Sequence, residues 1–216
     1  MEMVAQMTPD LRTLLAPDRS VLLVIDFQND FCHDDGVFGK AGLQLGAIQA
    51  AAENVLSFIE AGRSAGVPII FVKATNDAWT NTPAWVRRGT HKEEVRAEIV
   101  ATGSWGAEFY RVTPGPHDRV IVKHRYSAFM GTSLEVVLRG LGRSTLLLTG
   151  TTTNVCVEST ARDAFMRDYY VVLVEDCAGA PSKEEQEGTL HNMRTYFGHV
   201  TDSHAVAEVW REFVAR

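Results

Sequence analysis

The chain lacks the features that would staple a fold covalently or seat it in lipid. Among 216 residues there are three cysteines, Cys32, Cys156 and Cys177. An odd number with no CxxC spacing argues against a disulfide framework and for free thiols in a reducing compartment. No apolar run approaches the ~20 residues that span a bilayer. Met1 to Asp18 has no signal-type apolar core. The expectation is a cytoplasmic protein with no membrane partner. Basic charge is also scarce. Lys and Arg number 21 against 27 Asp and Glu, for a net charge of −6, which argues against a nucleic-acid partner. The histidines, at 33, 91, 117, 124, 191, 199 and 204, form no HxH or HExxH pair, so zinc has no support. Internal repeats and low-complexity tracts are missing too.

What is present suits one α/β domain over residues 1–216. The chain is 45% apolar and 22% charged, and long enough for a sizeable core. Short β-branched runs alternate with stretches of helical spacing. Strands are expected at Val21–Ile25, Ile69–Lys73, Val120–Lys123, Thr145–Thr149, Tyr170–Glu175 and His199–Thr201. Helices are expected at Leu45–Ala65, around Lys92–Val100, at Ser133–Leu141, Asn154–Arg167, Ser182–Tyr196 and His204–Val214. This alternation predicts a parallel sheet with helices on both faces.

Three of the strands end in chemistry. Ser20–Ile25 is followed by Asp26, Arg119–Val122 by Lys123, and Thr145–Thr149 by Gly150-Thr151-Thr152-Thr153-Asn154-Val155-Cys156. Cys156 falls in the first turn of a helix, where free N–H groups and the dipole favour a thiolate. A lone cysteine is more often a packed core residue, an Asp after a strand a cap, and a Lys there solvated. At the carboxyl edges of three strands, where open parallel sheets bind ligands, they make a carboxylate, a cation and a nucleophile.

With these residues in place, the chain resembles the cysteine hydrolases of the isochorismatase-like superfamily. The resemblance is carried by Leu23-Val24-Ile25-Asp26-Phe27-Gln28-Asn29-Asp30-Phe31, by Lys123 with Tyr126-Ser127-Ala128-Phe129, and by Thr149 to Ala164. It runs from about Val21 to Asp202. It implies an isochorismatase-like (Rossmann-like) three-layer sandwich with a six-stranded, mostly parallel sheet. It also implies an Asp26–Lys123–Cys156 triad, a cis peptide at Thr151-Thr152, and an oxyanion hole from the Thr152 and Cys156 amides. Family habit implies a homodimer or homotetramer.

Within the superfamily, nicotinamidases carry an Asp and two His for a metal just after the second strand. Here Asp77 is present, but the next histidine is His91, so no metal and no other cofactor is expected. Isochorismatases proper lack the nucleophilic cysteine. Gly103-Ser104-Trp105, Lys123 with Arg125-Tyr126-Ser127, and Thr153 to Asp163 look most like the ureidoacrylate amidohydrolases, with biuret and triuret hydrolases close behind. The implied activity is hydrolysis of a carbamoyl or ureido C–N bond through a thioester, releasing ammonia from a small amide. Other small amides (carbamoylsarcosine, maleamate or nicotinamide), a lapsed binding protein and a redox-sensing thiol are the alternatives. Asn76, Tyr126 and Val155 are expected in the pocket, with Phe27, Trp79 and Phe129 as walls. Arg87, Arg88 and Lys92 read as a solvated face before an anion contact.

Overall fold

A computed structural model describes residues 9–88 and 98–215. The sheet strands are β1 (Ser20–Ile25), β2 (Ile69–Ala74), β3 (Arg119–Lys123), β4 (Thr145–Thr151), β5 (Tyr170–Gly179) and β6 (His199–Thr201). They are ordered β3-β2-β1-β4-β5-β6, and every pairing is parallel. The longer helices are α1 (Gly46–Ser64), α2 (Leu134–Leu141), α3 (Glu158–Phe165), α4 (Lys183–Asn192) and α5 (Ser203–Val214). The helical piece expected at Lys92–Val100, with His91 and Lys92, lies almost wholly outside the described residues. Among the described residues no helix is long and apolar enough to cross a membrane.

The central strand explains the layering. All six residues of β1 are buried, so both of its faces must be covered. Leu22 and Val24 pack with Ile48, Val55 and Phe58 of α1 and with Val206 and Trp210 of α5. Val21, Leu23 and Ile25 pack on the other face with Leu134 and Leu138 of α2, Ala161 and Ala164 of α3 and Leu190 of α4. The period-2 alternation of a strand thus feeds two cores.

β5 runs four residues beyond the expected Glu175. A register shift between Leu148 and Gly150 lets Ala178 and Gly179 pair with Gly150 and Thr151. Asp176 and Gly179 break the apolar pattern there, which hides the extension. The expected helix from Asn154 begins instead as a wide π turn, Thr153–Val157, before α3. Similarly, the helix expected to reach Tyr196 ends in a π turn at Met193–Phe197. Spacing patterns do not separate these turns from an α-helix.

Gly150 is fixed by close approach. Its φ is +129°, and a Cβ would lie 2.0 Å from the Ile25 carbonyl oxygen. Gly150→Ala should therefore cost about 3 kcal/mol or prevent folding. Gly188, in α4, has open space around it. Gly188→Ala should stabilise by about 0.5–1 kcal/mol through helix propensity. Urea unfolding of both variants checks the contrast, and equal midpoints would contradict it.

Candidate active site

The chain passes from β1 outward to β2 and β3, then crosses back to β4 on the other side of β1. This reversal opens a crevice at the carboxyl ends of β1 and β4, the usual ligand site of such sheets. Asp26 sits there in the left-handed region, at φ +54°, a conformation that Asp tolerates better than most residues. Its turn aims the carboxylate back under the crevice. Lys123 ends β3, and Cys156 lies in the π turn after β4. The peptide between Thr151 and Thr152 is cis.

The three expected residues meet. Lys123 Nζ lies 2.7 Å from Asp26 Oδ2, donates to Cys156 Sγ at 3.4 Å and donates to the Arg125 carbonyl at 3.0 Å. Asp26 and Lys123 are buried and Cys156 is 8% exposed. The ammonium approaches Asp26 obliquely, and neither carboxylate oxygen receives a well-aimed hydrogen bond. At that distance the contact is an ion pair, with acceptor capacity left on Asp26.

Burial dominates the protonation states. It raises Asp26 above its ordinary value against the pull of Lys123. Burial alone would lower Lys123, but Asp26 and Cys156 outweigh it and hold the ammonium charged. Burial pushes the Cys156 thiol up to about 12; Lys123 opposes this and Asp26 adds to it. The expectation of a resting thiolate is therefore corrected. A desolvated thiol beside both a cation and an anion stays protonated, and the π turn adds too little to reverse this.

Above the triad lies a cavity of about 260 Å³. Asn76, Tyr126, Thr152 and Val155 line it, as expected. Three expected wall residues do not. Phe27 is fully buried in the α1-side core, because the turn at Asp26 sends the next side chain to the opposite face. Phe129 packs in the other core, near Tyr169. Trp79 is 98% exposed.

The wall is instead built by Trp85, to which the sequence pattern assigns no role. Its Nε1 donates to Asn76 Oδ1 at 3.1 Å, and its ring lies 4.8 Å from Tyr126. Asn76 Nδ2 donates to the Ile99 carbonyl, so that amide is committed to holding the wall. Arg88 also lines the cavity, which corrects its reading as a solvated residue, whereas Arg87 is exposed. Asp77 accepts from the backbone of Trp79 and Thr80 and from the hydroxyls of Thr80 and Thr102, closing its own loop. Among the described residues no three His, Cys, Asp or Glu gather as a metal site.

Gln28 and Asp30, which carry no role in the sequence pattern, prove to be clamps. Gln28 Nε2 donates to the carbonyls of Ala74 and Ala107, and its Oε1 accepts the Ala74 N–H. The amide extends the β1–β2 pairing by one step. Asp30 accepts the Val100 N–H at 2.6 Å and the Val37 N–H at 3.3 Å, tying two cavity-lining segments to one carboxylate. Thr160 donates to the Cys156 carbonyl at 2.7 Å and accepts the Ala128 N–H at 3.0 Å, fixing the thiol turn against the loop after β3. Glu158 joins α3 to α4 by accepting from Arg162, Thr189 and Asn192. Arg162 thus serves packing, as expected, and Asp163 pairs with Arg167.

A parallel sheet whose switch point holds a buried thiol, carboxylate and ammonium defines a hydrolase of the α/β class with a cysteine at its centre. The chain belongs to the isochorismatase family: the model described as Isochorismatase domain matches residues 20–205. It is 35% identical over 200 residues to a ureidoacrylate amidohydrolase RutB of Methylorubrum extorquens, over 86% of this chain and 80% of that protein. Among solved structures, a cysteine hydrolase from Pseudomonas syringae pv. phaseolicola 1448A shares the fold, with TM-score 0.80, 24% identity, and coverage of 96% of this chain and 99% of that one. N-carbamoylsarcosine amidase from Thermoplasma acidophilum gives TM-score 0.69 at 28% identity, over 86% and 96% of the two chains.

Cys156 borders the cavity, whereas Cys32 and Cys177 are fully buried in the α1-side core, and burial holds all three thiols protonated. Iodoacetamide should label Cys156 first, by about tenfold or more in rate. Peptide mapping checks the order, and faster labelling of Cys32 or Cys177 would contradict the accessibility argument.

Proposed function

We propose that this chain hydrolyses a C–N bond of a small carbamoyl or ureido compound, of the ureidoacrylate, biuret or triuret type, with Cys156 as nucleophile. The observation that carries the reading is the Cys156 thiol held by Lys123 beside Asp26 on the floor of a small cavity. The likeness to a ureidoacrylate amidohydrolase over most of both chains supports the substrate class.

The resting thiol is neutral, so catalysis begins with a proton transfer. Asp26 takes the Cys156 proton as Sγ attacks the planar carbonyl carbon. The carbonyl oxygen becomes an oxyanion, which the Thr152 and Cys156 amides stabilise; one such donor is worth about 3–4 kcal/mol in a comparable hydrolase. The tetrahedral species collapses, Asp26 returns the proton to the departing –NH2, and ammonia leaves. Asp26 then draws a proton from water as it attacks the thioester, and the thiol is regenerated on Cys156. Lys123 keeps Asp26 ionised and offsets negative charge on sulfur. No step is routed through a metal, so turnover should survive EDTA and dialysis.

An ammonia-release panel tests the assignment: ureidoacrylate, biuret, triuret, carbamoylsarcosine, maleamate and nicotinamide. A ureido or carbamoyl compound should lead. A tenfold higher kcat/KM for nicotinamide or maleamate than for every ureido compound would replace it with another small-amide hydrolase. Cys156→Ala should lower kcat by about 10⁴-fold or more while the circular dichroism stays that of the parent. Appreciable residual turnover would end the thioester route.

The pH profile follows from the shifts. Asp26 must be ionised in the free enzyme, and its raised pKa moves the acid limb of kcat/KM above the ordinary carboxylate value of 3.8. Activity should therefore fall with decreasing pH before ordinary carboxylates titrate. Lys123 is raised above 10.5 and the thiol to about 12. The triad should give no alkaline limb below about pH 10. An alkaline rise tracking thiol ionisation near pH 8–9 would show that the resting thiol, not Asp26, controls the attack.

A further inference from the structure

One stretch of the cavity wall is apolar and has no part in the bond-breaking chemistry. Phe31, Val37, Phe38, Leu43 and Ile99 line the cavity there, and each is half-buried. Phe31, Phe38 and Leu43 pack against the α1-side core, which fixes them from behind. Phe31 and Phe38 meet edge to face, with ring centroids 5.1 Å apart. Asp30 joins the two segments that carry these side chains by accepting the N–H groups of Val37 and Val100.

The backbone of this stretch is engaged internally. The Val37 and Phe38 carbonyls accept the N–H groups of Ala41 and Leu43. The Ile99 carbonyl accepts from the Asn76 side chain, and the Val100 carbonyl accepts the Asn76 N–H. A polar group set against this wall would lose water and find few partners, whereas hydrocarbon would gain by burial. The polar side chains Arg88, Arg125 and Tyr126 gather around Trp85 instead. The space agrees with this division. An apolar cavity of about 150 Å³ lined by Leu, Ile and Phe already holds benzene. Of the 260 Å³ here, a ring of that size leaves roughly 110 Å³, room for the four heavy atoms of a ureido head.

We propose that Phe31, Val37, Phe38, Leu43 and Ile99 form a subsite for a hydrocarbon substituent, which makes the substrate a terminal ureide bearing an alkyl or aryl group up to about the size of a benzene ring. The substituent lies on this wall while the carbamoyl end reaches Cys156. The assignment rests on the carbamoyl-hydrolase reading above and narrows it, because biuret and ureidoacrylate carry compact polar tails.

The test is ammonia release from a series of neutral ureas carrying methyl, propyl, butyl and benzyl groups. Wild-type kcat/KM should rise by about fourfold per added methylene. Benzylurea should exceed both biuret and ureidoacrylate by about tenfold or more. In Phe38→Ala and in Leu43→Asn the preference for benzylurea over methylurea should fall by about tenfold, through KM more than kcat. Phe38→Leu should keep more of that preference than Phe38→Ala. Should a variant not fold, the wild-type series still decides. A flat or falling series, biuret or ureidoacrylate ahead of benzylurea, or variants that slow methylurea and benzylurea alike would overturn the subsite and leave ureide hydrolysis standing. If no ureide is turned over, calorimetry with Cys156→Ala separates the claims. Benzylurea binding more tightly than methylurea, with a negative heat-capacity change, keeps the subsite while the proposed chemistry fails. Equal binding of the two, or none, overturns the subsite as well.

Discussion

The buried pair of Lys123 and Asp26 is the constraint around which the rest is arranged. Removing two such charges from water costs several kcal/mol per ion, and their attraction repays it only with further partners. Lys123 has three N–H donors and faces three acceptors: Asp26, the Cys156 sulfur and the Arg125 carbonyl. Burial raises the pKa of Asp26, outweighing Lys123, Cys156 and the Ala74 backbone, which pull it down. The environment holds Lys123 charged but makes Asp26 easier to protonate. That asymmetry leaves a carboxylate ready to accept a proton.

The surrounding fold holds this geometry by backbone means. Gly150 lets β4 approach the end of β1 closely. Gln28 replaces a strand residue with its own amide, and Asp30 ties two loop segments with one carboxylate. Gly106 packs against that carboxylate so tightly that a Cβ would lie 2.1 Å from it. The residues after β1 thus form a rigid base from which the cavity wall rises.

Much of this is legible in the sequence because it depends on short-range pattern. Apolar runs mark the strands, and the polar residues ending three of them mark Asp26, Lys123 and Cys156. The parallel architecture follows from alternation. Three things are not legible. The π turns share the spacing of α-helices, so spacing misreads the cysteine's local geometry. Helix position suggests a thiolate, whereas depth of burial, which no local pattern reports, decides its protonation. Proximity to motifs is a poor guide to the aromatic walls. Phe27 and Phe129 follow motif residues but point into the two cores, while Trp85 and Arg88 come from a stretch with no periodicity. Arg125 stands inside a recognisable motif, but its contact with Trp85 spans about forty residues of chain.

The sheet order also bears on how the protein reaches its working form. Asp26 and Cys156 meet only once β1 pairs with β4, where Ser20 registers with Thr145 across more than a hundred residues. Closing so long a loop is slow compared with forming α1 or the β1–β2 unit, since its entropy is lost before the contacts return it. Until that closure the thiol is apart from the carboxylate and the ammonium, which β1, β2 and β3 bring together without it. Meeting of the thiol with the ion pair is therefore a property of the whole chain's topology, because a fragment ending before β4 carries Asp26 and Lys123 but not Cys156.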